Sequence, residues 1–391
     1  MTLDYSKRNL CFFFYLFMQG TIVTCADINY LNNTIRNYFA DTRHHEPQFR
    51  DYKARSKEFI FNEFKKFGLD TEYHYFNDST YFGDTIFTNV IGVLKGANFG
   101  KESDKVLGLL AHYDTVSTTK GVDDNGAGVA ALLEVARQLH QQKSKREHTV
   151  IFISPDLEEY GLTGSYNFIE DWLPAWSNKH YGAPYALLNT TQGCIVLDTM
   201  MEYNNSDNSQ LVPQEAVAAF QQYFPGTMQS IASDGFEGDF LTLIYRKTPD
   251  SALAENFKQS WEAQGRQEFE IELVALPVEE GLPSGINRQL FGHFLRSDHT
   301  NFWRDNIPAI FITDSAEFRG DMIHCYHNHC DNIEVMLTDD NLRFLAKTAD
   351  SLARTVNDLA EDLETSGNGS SSPCIVTTAV SIIFFVIFFQ L

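Results

Sequence analysis

Short runs rich in Val, Ile, Leu and Phe alternate along this chain with stretches whose apolar residues recur every three or four positions. This alternation predicts an α/β layered domain with a largely parallel or mixed central sheet flanked by helices. A second observation sharpens the expectation: His, Asp and Glu residues follow directly on several of the strand candidates. The carboxyl ends of strands are where open α/β sheets bind their ligands.

Residues 49–68 read as a helix, with Phe59, Ile60, Phe61, Phe64 and Phe67 on its apolar side, and residues 85–94 as a strand rich in Ile, Val, Phe and Thr. Val106, Leu107, Leu109 and Leu110 mark a buried strand over 105–111. Val129, Leu132, Leu133, Ala136 and Leu139 give a helix over 128–141. Residues 149–154, 193–199 and 309–313 are further strands. Between 203 and 292 the pattern is weaker, with helices near 213–223 and 251–264 and strands over 240–245 and 269–274. The last helix carries Leu342, Leu345, Ala349, Leu352, Val356 and Leu359 at helical spacing, with Asp339 or Asp340 available as its cap. No internal repeat and no low-complexity tract divides residues 27–362, so they are expected to form one domain.

At 391 residues and 43% hydrophobic composition the chain can bury a substantial core, which excludes disorder as its main state. Asp and Glu outnumber Lys and Arg by 52 to 30, a formal charge of -22. Such a surface repels phosphate backbones, so nucleic acid is excluded as a partner.

The two ends predict export. Lys7 and Arg8, an apolar run over 10–17 and the segment Val23-Thr24-Cys25-Ala26 describe a signal peptide over 1–26, cleaved after Ala26. Residues 363–373 form a polar spacer, and 374–391 are apolar without charge. That arrangement resembles a glycolipid-anchor signal, with a transmembrane helix as the alternative. Sequons at Asn32, Asn77, Asn189, Asn204 and Asn368 fit a glycoprotein of the secretory pathway, membrane-anchored at the cell surface or secreted. Cys11, Cys25 and Cys374 fall in segments expected to be removed. Of the remaining Cys194, Cys325 and Cys330, the last two are the nearest pair, though spacing alone does not fix the bridge.

The candidate chemistry sits at strand ends. His112 follows the strand 105–111, and Asp114, two residues on, can steady its ring. Gly121-Val122-Asp123-Asp124-Asn125-Gly126 precedes a helix; its acids could cap that helix or place a carboxylate between two cations. Glu158 and Glu159 follow the strand 149–154, so that one can bind metal while its neighbour serves as a base. Asp198 ends an apolar strand, where a carboxylate is costly without a positive partner. His327 supplies a second imidazole, with His324 and His329 as local competitors and Cys325 and Cys330 as thiolate alternatives. Two imidazoles and several carboxylates point to zinc, and two ions sharing a carboxylate sit roughly 3.5 to 4 Å apart. Cobalt and manganese share that ligand chemistry.

In this order and wording the motifs resemble metallopeptidase family 28, the co-catalytic zinc exopeptidases. They are Ala111-His112-Tyr113-Asp114-Thr115-Val116, Gly121 to Gly128, Glu158-Glu159-Tyr160-Gly161-Leu162-Thr163-Gly164-Ser165, Leu197-Asp198-Thr199-Met200 and Tyr326-His327 with Asp331. The resemblance implies a three-layer zinc-exopeptidase sandwich and two zinc ions per chain. By the same resemblance Asp123 bridges the ions, His112 and Asp198 complete one site, and Glu159 and His327 complete the other. Glu158 is then the general base, Asp114 orients His112, and the Asp123–Asp124 bond is a cis peptide. Residues 296–302, with His299 not expected as a ligand, are expected to shape the substrate side. Asn328 and Asn332 depart from the family's usual residues and blur the pocket, not the ligand set.

The implied function is hydrolysis of the N-terminal peptide bond of peptides by a water activated between two zinc ions. Carboxypeptidase or dipeptidase activity is the main alternative. It would need arginines for a substrate carboxylate, for which Arg288, Arg296, Arg304 and Arg319 are available. A single-zinc glutaminyl cyclase and an inactive surface binding protein are the other readings.

Overall fold

The computed structural model describes residues 25–142, 145–184, 190–214 and 216–361. Residues 1–24, the spacer, the apolar tail, Asn189 and Asn368 lie outside the described residues. Among those described, no helix is long and apolar enough to cross a membrane.

Eight strands form a single mixed sheet in the order β1-β2-β4-β3-β5-β8-β6-β7. They are β1 Asp70–Asp78, β2 Thr85–Leu94, β3 Leu107–Ala111, β4 Val150–Ser154, β5 Gly193–Leu197, β6 Phe240–Arg246, β7 Glu270–Leu276 and β8 Ala309–Thr313. The central strands β4, β3, β5 and β8 run parallel. β1 and β2 add antiparallel at one edge, while β6 pairs antiparallel with β8 and parallel with β7 at the other. Every residue of β4, β5 and β8 is buried, as expected of strands covered on both faces.

Helices cover both faces, giving the three-layer α/β sandwich that the sequence predicts. They include α1 Ile28–Tyr38, α2 Arg50–Lys66, α3 Gly128–Gln142, α4 Val217–Tyr223, α5 Pro225–Ser233, α6 Ser251–Ala263 and α7 Asp339–Ala360. Leu107, Leu109, Phe152, Ile195, Leu243 and Ile310 point to one face, where they meet the apolar sides of α1, α2, α3, α6 and α7. Leu110, Ile151, Ile153, Val196, Ile244 and Phe311 point to the other and pack on Phe168, Trp172, Trp176, Phe302 and Trp303. This alternation is the period-two geometry of a strand.

One local expectation is corrected. The last helix is capped by Thr338, whose hydroxyl accepts from the Asn341 amide, and Asp339 and Asp340 lie in its first turn. The weakly patterned region holds a second short helix, α5, and the edge strand β1 was not foreseen. Cys325 and Cys330 form a disulfide, and Cys194 is a buried free thiol.

Candidate metal centre

The parallel strands β3, β4 and β5 end side by side, and the loops that follow them carry His112, Glu158 with Glu159, and Asp198. The loop 121–127 runs from the β3 side into α3, and the disulfide-closed loop after Cys325 brings in His327. Residues far apart in the chain thereby meet over one sheet edge. Two groups form: His112, Glu158 and Asp198, and Asp124, Glu159 and His327, each with ligand atoms within 4.8 Å of one another.

Asp124 joins the groups. Its Oδ1 lies 3.5 Å from His112 Nε2 and its Oδ2 lies 3.3 Å from His327 Nε2. His112 Nε2 is also 3.4 Å from Asp198 Oδ1 and 3.8 Å from Glu158 Oε2, and His327 Nε2 is 3.1 Å from Glu159 Oε2. The expected bridge, Asp123, is therefore corrected to Asp124. Asp123 is fully buried behind the site, where its Oδ1 accepts from the Met200 and Met201 amides at 2.9 Å each. The cis peptide is likewise Asp124–Asn125, not Asp123–Asp124. The turn aims the second acid, not the first, between the imidazoles.

These spacings fit metal ligands better than hydrogen bonds. His327 Nε2 is buried and makes no hydrogen bond, despite two carboxylate oxygens close by. Ligand atoms at the corners of a tetrahedron with bonds of ~2.0 to 2.1 Å lie ~3.3 Å apart, which matches the separations around both imidazoles. Four carboxylates against two imidazoles also leave negative charge in a buried site, a costly state unless cations enter it. The donor set is that of a dinuclear zinc site, in which each group would hold one ion with Asp124, placed between the two imidazoles, common to both.

The electrostatics follow from crowding. Burial, with Asp124 beside it, pushes the Glu159 carboxyl up to about 7. Burial also raises Glu158 well above its ordinary value, against the pull of His112. For His327 burial acts downward, but Asp124 and Glu159 outweigh it and lift the imidazole to about 10. Burial and the neighbouring Asp314 and Asp331 raise Asp123 well above the carboxylate range.

The supporting residues are specific. Asp114 Oδ1 lies 3.4 Å from His112 Nδ1, and its two oxygens accept from the Glu158 and Glu159 amides at 3.1 and 3.3 Å. One carboxylate thus positions a ligand and the paired glutamates. Asp331 accepts from the Asp123 and Asp124 amides at 2.7 and 3.1 Å, tying the His327 loop to the bridging turn. No sequence pattern marks Arg43. Fully buried, it donates to the carbonyls of Tyr113 (2.7 Å), Lys120 (3.0 Å) and Gly121 (2.6 Å), clamping the segment between His112 and Asp124. Asp298 is also buried near Glu158, with both carboxylate oxygens lacking hydrogen bonds. His299 stays outside the centre: its Nε2 meets the Phe294 carbonyl at 2.8 Å and its ring stacks on Phe311.

A cleft opens beside Asp198 and Tyr326. Its walls are mostly apolar, from Phe220, Ile231, Ile244, Val274, Leu290 and Phe294, with Glu272 among them. Arg296, also on the cleft, donates to the Tyr326 hydroxyl at 3.1 Å and pairs with Glu317.

A central parallel sheet with paired metal-ligand groups at its strand ends defines an α/β fold built around a dinuclear metal-binding site. Residues 89–264 match peptidase family M28, and the chain has the M28 peptidase fold with its dinuclear metal-binding site. It is 25% identical over 239 residues to the uncharacterized protein YfbL of Escherichia coli, a match covering 58% of this chain and 61% of that one. It is 40% identical over 82 residues to aminopeptidase YwaD of Bacillus subtilis, covering 21% of this chain and 17% of that one. The chain thus spans less than two thirds of these relatives. The structure of BSAP, a zinc aminopeptidase from Bacillus subtilis, superposes with a TM-score of 0.56 at 14% identity, over 87% of this chain and 96% of that one. At that identity the likeness shows the fold.

Proposed function

We propose that the chain is a zinc aminopeptidase that removes the first residue of peptides, favouring a large apolar side chain there. The observation that carries the choice of substrate end is the charge around the centre. Asp198, Glu158, Glu159 and Asp298 crowd carboxylates around the centre, a negative field that favours a substrate ammonium over a substrate carboxylate. The arginines that a carboxypeptidase would need are engaged elsewhere: Arg296 with Glu317 and Tyr326, Arg304 with Glu170 and Asp305, and Arg319 with Gln210 and the Phe240 carbonyl. Arg288 is exposed and does not line the cleft. Paired ligand groups also disfavour a single-zinc cyclase.

Bound zinc would supply Lewis acidity at the scissile carbonyl and make water easier to deprotonate near neutral pH. His112, Asp124, Glu159, Asp198 and His327 are assigned as its holders. Glu158, buried and fixed at its backbone by Asp114, takes the proton that water gives up on adding to the carbonyl. It then delivers that proton to the departing nitrogen, leaving one carboxylate and one amine. Asp114 positions His112 and the glutamate turn. The apolar cleft receives the first side chain.

The disulfide at Cys325–Cys330 favours an oxidising compartment, and Asn77, an exposed sequon on β1, is open to glycosylation. Together with the sequence of both ends these features support export and a glycolipid anchor in place of 374–391. Release from cells by a phosphatidylinositol-specific phospholipase tests the anchor; retention after treatment would favour a transmembrane tail.

The test of function is hydrolysis of short peptides with a free and an acetylated amino end. Cleavage of the free forms alone, best with Leu or Phe first, is expected, and Glu158→Gln should lose about 100-fold or more in kcat with its zinc retained. Equal cleavage of acetylated peptides would overturn the aminopeptidase reading.

A further inference from the structure

The residues leading into α1 are tied to two buried carboxylates. The Ala26 backbone nitrogen donates to Asp350 Oδ1 at 2.6 Å, and the Asp27 nitrogen donates to Glu134 Oε1 at 3.0 Å. Asp27 also caps α1, accepting from the Asn29 and Tyr30 amides, so this entry is held from both sides. Glu134 lies on α3 and Asp350 on α7, the two helices between which the segment docks; their exposures are 0% and 5%.

The carboxylates are not equally compensated. Arg137 donates to Glu134 through two nitrogens, each at 2.6 Å. Asp350 Oδ1 has two neutral donors, the Ala26 amide and Gln138 Nε2 at 3.1 Å. Among the described residues no lysine or arginine side chain bonds it, and Arg266 acts on it only at longer range. Burial accordingly pushes its carboxyl up to about 6. The cluster of Glu134, Arg137 and Asp350 therefore carries one buried negative charge in excess, a costly arrangement.

We propose that the chain is cut between Cys25 and Ala26, and that the α-ammonium group so created forms a buried ion pair with Asp350. This rests on reading residues 1–26 as a leader, and it moves the cut one residue ahead of the site expected from sequence. Hydrolysis of that amide leaves a carboxylate on Cys25 and an amine on Ala26, which takes up a proton, the ordinary pKa of such a group being about 7.7 to 8.0. The neutral donor already 2.6 Å from Asp350 becomes a cation. A cut after Ala26 would instead place the charge beside Glu134, which Arg137 already neutralises, and would strip Asp350 of its shortest donor. The proposed cut gives up the long bond from Arg137 Nη2 to the Cys25 carbonyl, at 3.3 Å. Leader removal during export precedes folding, so the half-buried junction of the folded chain is no obstacle.

The test is the first residue of the protein recovered from a cell that exports the full chain, read by mass spectrometry after reduction because Cys25 is disulfide-bonded in the uncut chain. Ala26 as first residue is the expected result. Asp27 as first residue would overturn the proposal and leave the leader reading standing; a chain retaining residues 1–25 would overturn both. A thermal arm tests the ion pair itself. Adding Gly-Ser ahead of Ala26 should lower the Tm of the zinc-loaded protein by several degrees, and by much less in the Asp350→Asn background. Equal losses in both backgrounds would overturn the pairing, and should Asp350→Asn fail to fold, the first-residue result still decides the cut.

Discussion

Asp123 and Asp124 are adjacent and buried, yet one braces backbone amides while the other stands between two imidazoles. Their substitutions should therefore separate. Asp124→Asn should bring zinc below two per chain by elemental analysis, whereas Asp123→Asn should keep both ions. The reverse pattern would restore Asp123 as the bridge. Arg43→Met should cost about 3 kcal/mol in urea unfolding, because several buried carbonyls lose their donor. A change within about 0.5 kcal/mol, the range of ordinary surface substitutions, would show that the clamp contributes little. His112, Glu158, Glu159, Asp198 and His327 were legible because each stands out in type at the end of an apolar run or inside a motif. The choice between two neighbouring aspartates was not, since only the turn of the backbone decides which one faces the ligands. Arg43 was not legible either: its carbonyl partners carry no sequence signature.

At the scale of elements, the buried strands were readable because both faces are covered and the runs are uniformly apolar, as in β4, β5 and β8. β1 carries little apolar signal because it is an edge strand, Asp-Thr-Glu-Tyr-His-Tyr-Phe-Asn-Asp, exposed along much of its length. The α7 cap is ambiguous in sequence because Thr338, Asp339 and Asp340 are all capping types; Thr338→Ala should cost about 1 kcal/mol, detectable as a lower Tm. The loop closed by Cys325–Cys330 holds His327, whose carbonyl accepts from Thr118 Oγ1 at 2.7 Å, and leads to Asp331. Replacing both cysteines by serine should make the ion at the Asp124, Glu159 and His327 group easier to remove with a chelator. Unchanged zinc retention on dialysis would show that the bridge does not support the centre.

Over the whole molecule, acidity and burial combine into a pH dependence. Burial first, then Glu270 and Asp234, raise Glu272 from its ordinary 4.5 to about 7. A carboxyl raised in the folded state favours folding while protonated, so its contribution is full below about pH 4.5 and is lost as pH rises through about 7. Melting temperature measured across that window should fall less steeply in Glu272→Gln than in the parent; an unchanged slope would mean that the group titrates normally. The layered architecture was legible from alternation alone, but the apolar cleft was not, because its walls come from helices and strands distant in sequence. The centre itself joins loops from β3, β4 and β5 with the segment around His327, so its metal content reports on the whole fold. The most direct measurement is zinc per chain in the purified protein: two ions, with one lost first to chelator, is the predicted result, and a single ion at saturation would contradict the paired centre.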